Sequence, residues 1–437
     1  MQKSLQNKVT LLGCLIFLLG GLFFVYEFFL RASIASIQGP FQSSLGIKAD
    51  DLAVISAAYF IAYSAMQIPV GILLDRFGVK KAGAGAILIC AVGALLFSFS
   101  EGLVSAWLGR FLIGCGSAFA FVLLLKVTIE WFPYKIFGFM AGMTQVLGVL
   151  GPILAGVPLI FLMQFSDDNW RLIFQGVAVF GFVLAVVYFI FAQDKKKVGD
   201  QAALINKKET LEVKNNEKKV FRNILELLKN PQILMIGLFS FLIYPSIELV
   251  GSLFGPAFMQ QEGFTADSAG VIISFVWLGM GIGSPIFGLL SDLIQRRKSV
   301  LCFCAALGVL SASVIIWGPN MSLTAYSIWF FLFGSAVAAQ TLSFTVVVEN
   351  VPKYLAATAM AFNNMLVILG AAVIQMLGGN VLSQVWNGLS KAGKAVYTLG
   401  DYQWAFSLCV IFFFLALLVG LFFIKETYCQ NQYREKV

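Results

Sequence analysis

The 437-residue sequence contains no histidine. Histidine general bases, histidine metal ligands and histidine proton relays are therefore excluded, and any proton chemistry falls to carboxylates, Lys, Tyr or Cys. Charge is scarce as well: 12% of residues are Asp, Glu, Lys or Arg, while 59% are hydrophobic. An ordinary soluble domain carries about twice that charge, so a water-soluble globule is ruled out and lipid must be the solvent. Seven cysteines are present, six in apolar spans and Cys429 in the tail on the side of the N-terminus, so no structural disulfide is expected. Cys302 and Cys304 have neither a histidine nor further cysteines at ligand spacing, which makes them core packing rather than a metal site. No Walker-type phosphate loop occurs, nor a cluster of catalytic groups, so neither ATP hydrolysis nor membrane-enzyme chemistry is indicated. We expect no cofactor, no metal and no catalytic residue.

Apolar segments long enough for a bilayer core about 30 Å thick recur twelve times. They run Thr10–Ile37, Leu52–Leu74, Ala82–Phe99, Leu103–Phe132, Ile136–Met163 and Leu172–Ala192, then Ile233–Met259, Ser268–Leu290, Val300–Trp317, Leu323–Val348, Tyr354–Val381 and Trp404–Ile424. Their Leu, Phe, Ala and Gly show no period-two alternation, so they read as helices, not barrel strands. The first is too long for a signal peptide and is expected to remain in the mature protein. The net charge of +8 follows from topology. Of 30 basic residues, all but seven fall in segments on the side of the N-terminus. The loops of the opposite side carry only Lys48, Arg171, Lys391 and Lys394, and Arg31, Arg110 and Lys126 lie inside spans. This asymmetry predicts a multi-pass protein of the bacterial inner membrane with both termini cytoplasmic. It leaves no basic face for nucleic acid.

The two halves repeat. Gly39-Pro40, Asp51 and Pro69 recur 216 residues later as Gly255-Pro256, Asp267 and Pro285. After a one-residue slip, the segment Gly71 to Lys81, with Asp75, Arg76, Gly78 and Lys80, aligns with Gly288 to Lys298, with Asp292, Arg296 and Arg297. Glu130, Pro133, Gln145 and Gly151 match Glu349, Pro352, Asn364 and Gly370 at a spacing of 219. Six spans separate equivalent positions, so the halves are parallel repeats. The expected organisation is a six-helix bundle over 1–192, a polar cytoplasmic linker over 193–230 with a short surface helix at Val220–Leu228, and a second bundle over 231–437.

Gly71 to Lys81 resembles the G-x-L-x-D-R-x-G-x-K/R-K/R signature of the major facilitator superfamily, and Arg110 to Gly116 resembles that family's R-x-x-x-G-x-G. The resemblance implies an all-α integral membrane fold of twelve transmembrane helices in two pseudo-symmetric bundles, a monomer working by alternating access. It also makes Gly71, Asp75, Arg76, Gly78, Lys80 and Lys81, with Gly288, Asp292, Arg296 and Arg297, a conformational latch rather than a substrate site. Arg110 is expected to stabilise the bundle, and Glu130 and Glu349 to close helix ends beside the latch. Gly148 to Gly156 is similar to a motif of antiporters, and also reads as close helix packing with a bend. Tyr26-Glu27 with Arg31, Lys126 to Pro133 and Asn169-Trp170-Arg171 resemble nutrient importers of the phagosomal-transporter type and the lysosomal dipeptide-transporter branch. They are also similar, more distantly, to organophosphate and organic-anion transporters.

Ionisable groups inside a span are costly unless they face a cavity or a partner. Glu27 and Arg31 share one helix face and can pair, either as a plain salt bridge or as a site in which Arg31 grips a carboxylate while Glu27 takes an amine or a proton. Glu248, one turn from Tyr244 and near Pro245, is with Glu27 the expected proton site. Tyr59, Tyr63 and Gln67 form a polar stripe. Gln145, Gln340, Asn363 and Asn364 are expected to hydrogen-bond solute, and Lys126 either contacts an anion or snorkels beside Glu130. The expected activity is secondary transport of a small polar solute such as an amino acid, short peptide or organic anion, with protons and membrane lipid as the other partners. Proton-driven efflux of drugs or metabolites, and siderophore or organophosphate transport, stay open.

Overall fold

The computed structural model describes residues 10–132, 137–194, 226–352, 355–388, 390–391 and 394–432. These residues are mostly helical, with short turns between helices and one two-residue antiparallel ladder pairing Ser390–Lys391 with Lys394–Ala395. Eleven helical stretches among them are long and apolar enough to cross a membrane. The twelfth traverse is the first of the two helices that make up Ala49–Ser98 and meet at the non-helical Gly78. Large apolar side chains such as Leu18, Phe165, Val183 and Leu293 are exposed, forming the outer surface that lipid covers.

The spans differ from uniform rods in ways that bear on the site. Span 1 is two helices, Leu11–Ala32 and Ile34–Leu45. The second continues through Pro40 to a left-handed Gly46, beyond the expected end at Ile37. Span 4 is divided at Ala118 and span 10 at Ala338. Span 7 is the most broken: Pro231–Ile243, Pro245–Leu249, a π turn over Val250–Phe254, and Gly255–Gln261. Pro245 and Pro256 account for the breaks, since proline has no N–H to give the preceding turn. A π turn inside an α-helix costs hydrogen-bond geometry and recurs at functional positions. Span 11 runs Ala356–Val385 and span 12 Leu399–Phe422. Span 12 starts earlier than expected because Thr398 and Asp401 make a capping box.

Gly114, the first glycine after Arg110, has a physical reason to be glycine: a β-carbon there would collide with the carbonyl of Tyr59. Spans 2 and 4 can therefore touch backbone to backbone beside Arg31. The helix of span 6 ends at Phe191 and that of span 7 begins at Pro231. Most of the expected linker, 195–225, lies outside the described residues, as does 220–225 of its expected surface helix. The linker's first acidic residue, Asp194, is not simply solvated: its Oδ1 accepts from Lys80 N at 3.1 Å.

Candidate functional site

The breaks in spans 1 and 7 face each other, and between them sits Arg31. Its Nη2 pairs with Glu27 Oε1 at 3.1 Å. Its Nε donates to Tyr59 Oη at 3.1 Å and its Nη1 to Tyr244 Oη at 3.2 Å. The same Nη1 lies 3.5 Å from Glu248 Oε1. Glu27 Oε2 accepts from the Tyr59 hydroxyl at 2.8 Å, and Glu248 Oε1 from Tyr244 at 2.6 Å. Ser252, brought into place by the π turn, donates to Glu248 Oε2 at 2.5 Å. One guanidinium is thus shared by two carboxylates, one from each half of the molecule. The rings of Phe28 and Tyr63 lie 4.2 and 5.1 Å from its Cζ.

Arg110 supports this arrangement from behind. Its Nη1 donates to Leu30 O at 2.6 Å and its Nη2 to Arg31 O at 3.4 Å, beside the break in span 1. Its Cζ stands 5.0 Å from the Tyr59 ring. Arg31 is 2% exposed, and Glu27, Arg110 and Glu248 not at all. A solute site needs an open volume beside Arg31, and in this structure it is closed. The charged side chains face the seam between the halves rather than lipid, but the tyrosines and Phe28 close over Arg31 and both carboxylates. A cleft past the break in span 1 is lined by Ala35, Ser36, Gly156, Gly251, Gly270 and Ser274.

Of the other expected site residues, Asn364 reaches the seam: its Nδ2 donates to Gln67 Oε1 at 2.7 Å, bridging spans 11 and 2. Asn363 and Gln340 sit instead within the second half. Asn363 Nδ2 donates to Ser343 Oγ, which also accepts from Ser240 and donates to Gln340 O. Lys126 Nζ is turned to Leu74 O at 3.0 Å, at the end of span 2, and is not among the partners of Arg31. The side chains of Gln145 and Asp75 lie outside the described residues. Sequence reasoning missed Ser252, which has no motif, and Gln375, whose Nε2 holds Glu248 O at 3.0 Å. An i,i+4 hydroxyl beside a buried Glu was the available signal for the first.

The sequence model of the Major Facilitator Superfamily matches residues 12–375 and 238–434 of the chain. The chain belongs to this superfamily. It is 23% identical over 387 residues to a probable galactarate/D-glucarate transporter of Escherichia coli strain K12, covering 81% of this chain and 85% of that protein. It is 25% identical to the hexuronate transporter of Bacillus subtilis and to a quinolone resistance transporter of Acinetobacter baumannii, in each case covering 71% of this chain and 75% of the relative. In fold it is similar to a bacterial homologue of the human lysosomal transporter Spinster, solved inward-facing and unoccupied. The TM-score is 0.75 at 13% identity, over 98% of this chain and all of the other. The protein is thus a multi-pass secondary transporter of the superfamily and not an enzyme.

Within that superfamily fold, the signature segments work inside their own halves in this conformation. Gly78 has φ +74° and turns the chain between spans 2 and 3. Arg76 and Lys81 are exposed, and Lys80 Nζ lies 5.0 Å from the Phe189 ring. In the second half Arg297 pairs with Asp292 and with Glu349 Oε1 at 3.1 Å. The tail fastens this knot: Thr427 Oγ1 donates to Glu349 Oε2, and Glu426 accepts from Arg297 N and Lys298 N. Arg296 is exposed, its Cζ 5.8 Å from the Tyr428 ring, and Glu130 is half-buried at the end of span 4. A β-carbon on Gly71 or Gly288 would meet nothing within 4 Å, so neither latch glycine is packed against the opposite half.

Among the described residues, bonds between halves lie on both sides of the site. On the side of the termini Ser64 Oγ donates to Met365 O at 3.1 Å, next to the Asn364–Gln67 bond. At the far end Ala49 N donates to Tyr397 Oη at 3.0 Å, Asp50 N to Ser383 Oγ at 3.3 Å, and Gln164 Nε2 to Asp267 Oδ1 at 3.1 Å. Lys48 Nζ lies 4.8 Å from the Trp386 ring. The first two donors are free N–H groups of a helix N-terminus, here capped by the other half. Burial raises the Tyr397 hydroxyl above the usual tyrosine range, so it keeps the proton of a neutral phenol.

Proposed function

We propose that the protein carries a small carboxylate-bearing solute together with protons across the bacterial inner membrane, as a monomer, with both termini in the cytoplasm. The observation that carries this reading is the guanidinium of Arg31 held between Glu27 of one half and Glu248 of the other. A planar fork already bonded to carboxylates suits a solute carboxylate in the same geometry, and its place on the seam ties occupancy to the relation between halves. Relatives named for hexuronate and for galactarate or glucarate support an organic anion over the amino acid or short peptide suggested by the resemblance to phagosomal-type importers. The latch segments, packed within their own halves here, are assigned to closing the terminal side when the far end opens. Glu27 and Glu248 are the proton-handling groups.

Purified protein in liposomes, given an inward proton gradient and labelled hexuronate, amino acid or dipeptide, tests the reading. Hexuronate accumulation is the expected result, and Arg31→Lys should reduce it about 10- to 100-fold, the worth of one or two charge-assisted bonds. Accumulation of none of these solutes, or Arg31→Lys behaving as the unaltered protein, rejects it. The identity to a quinolone resistance transporter and the glycine-rich segment of span 5 favour drug efflux as a second reading, which predicts extrusion of a fluoroquinolone in the same vesicles.

A further inference from the structure

We propose that Glu248 is a resident competitor for the solute: it occupies the place of the solute's carboxylate on Arg31, so one carboxylate and one proton bind together and the loaded site stays formally neutral. The inference rests on the anion-symport reading above and adds the order and charge of its binding step.

Charge balance carries the first part. The buried core holds two carboxylates, Glu27 and Glu248, and two guanidiniums, Arg31 and Arg110. The other titratable groups of the cluster are the hydroxyls of Tyr244, which bonds Glu248, and of Tyr59 and Tyr63, which lie against Arg31. Span 11 offers the neutral amide of Gln375, on Glu248 O. None of these supplies a further positive charge. An arriving carboxylate would therefore leave one buried negative charge uncompensated, a penalty of several kcal/mol. Protonation of one resident carboxylate removes it.

Geometry selects which carboxylate yields. Glu27 is four residues from Arg31 on the same helix, so the pair moves as one body however the halves rock. Glu248 belongs to the opposite half and makes the longer contact, 3.5 Å against 3.1 Å. It also has a second home. Without Arg31 it keeps the Tyr244 hydroxyl on Oε1 and Ser252 on Oε2, and once protonated it can donate to the Ser252 oxygen. Glu27 would keep Tyr59 alone. Arg31 Nη1 is then the donor released to the solute.

Labelled glucuronate in liposomes is the probe, with the proton gradient and the potassium diffusion potential set independently. In the unaltered protein, uptake should follow the proton gradient and be unchanged by an interior-negative potential. A several-fold response to potential alone overturns the neutral stoichiometry. Glu248→Gln should bind glucuronate with an affinity that no longer varies between about pH 5 and 8, where the solute stays ionised, and should exchange it without uphill accumulation. Glu27→Gln should bind more weakly and keep the pH dependence. If Glu248→Gln retains the pH dependence of the unaltered protein, the inference fails while anion transport stands. If no carboxylate raises the melting temperature of either protein or is taken up, the parent reading fails first. Should Glu248→Gln not fold, Ser252→Ala, which removes only the second home, should shift the pH dependence of glucuronate binding. An unshifted profile counts against the proposal.

Discussion

At the scale of single residues, Arg110 and Arg31 show how one residue type serves two ends. Arg110 spends its fork on the carbonyls of Leu30 and Arg31, where span 1 is broken between Ala32 and Ile34. It also supplies the second positive charge of a core whose four charged groups are almost completely buried. Arg110→Met keeps much of the volume but strips both carbonyls of a donor and leaves two carboxylates facing one guanidinium. Removing one partner from a buried charged network costs about 3–5 kcal/mol, and a markedly lower melting temperature in detergent is the expected result. A variant as stable as the unaltered protein would show that the carbonyls are satisfied otherwise. The partnership of Glu27 with Arg31 was legible in the sequence because helical spacing puts i and i+4 together. That Arg31 also reaches Glu248 was not, because 217 residues separate them and no local rule pairs distant helices.

Elements add what single residues cannot: where a helix must stop. Gly78 was legible as part of a signature, and its φ of +74° with ψ 173° explains the glycine, since essentially only glycine occupies that region and strain there costs about 1–3 kcal/mol. Its partner was hidden. Asp194 stands alone at the head of a lysine-rich stretch and reads as linker, yet it accepts from Lys80 N and fills the space a β-carbon on Gly78 would need. Glu426 does the corresponding work after span 12 by capping Arg297 and Lys298, so each half ends with an acid that closes the start of its third helix. Gly78→Ala should destabilise by about 1–3 kcal/mol from backbone strain and the clash together. Asp194→Ala should cost about 1 kcal/mol as a lost cap. The pair should be less than additive because both act on one turn, and additive melting shifts in the double mutant would mean the two residues act independently. In span 7 the prolines announced a break, but neither the π turn nor its delivery of Ser252 to Glu248 could be read from composition, because the register of a helix past a break is set by what it packs against.

For the whole molecule, what matters is that bonds join the halves from Gln67 and Ser64 through the site to the end remote from the termini. This is one arrangement of a two-state device, and in it the far-end seam is closed. Alternating access requires the far-end seam to part once in every cycle, so fixing it should stop transport without touching the site. Gln164 and Asp267, one from each half and 3.1 Å apart through their side chains, are suited to this because neither lies among the partners of Arg31. With both replaced by cysteine in a background free of the native thiols, a short bifunctional thiol reagent should abolish net uptake. Binding of glucuronate, read by the rise in melting temperature, should persist, and a cleavable reagent should give uptake back on reduction. Each single cysteine treated alike should transport normally. Full uptake by the bridged protein would mean that the halves never separate at this seam and that the solute leaves by another route.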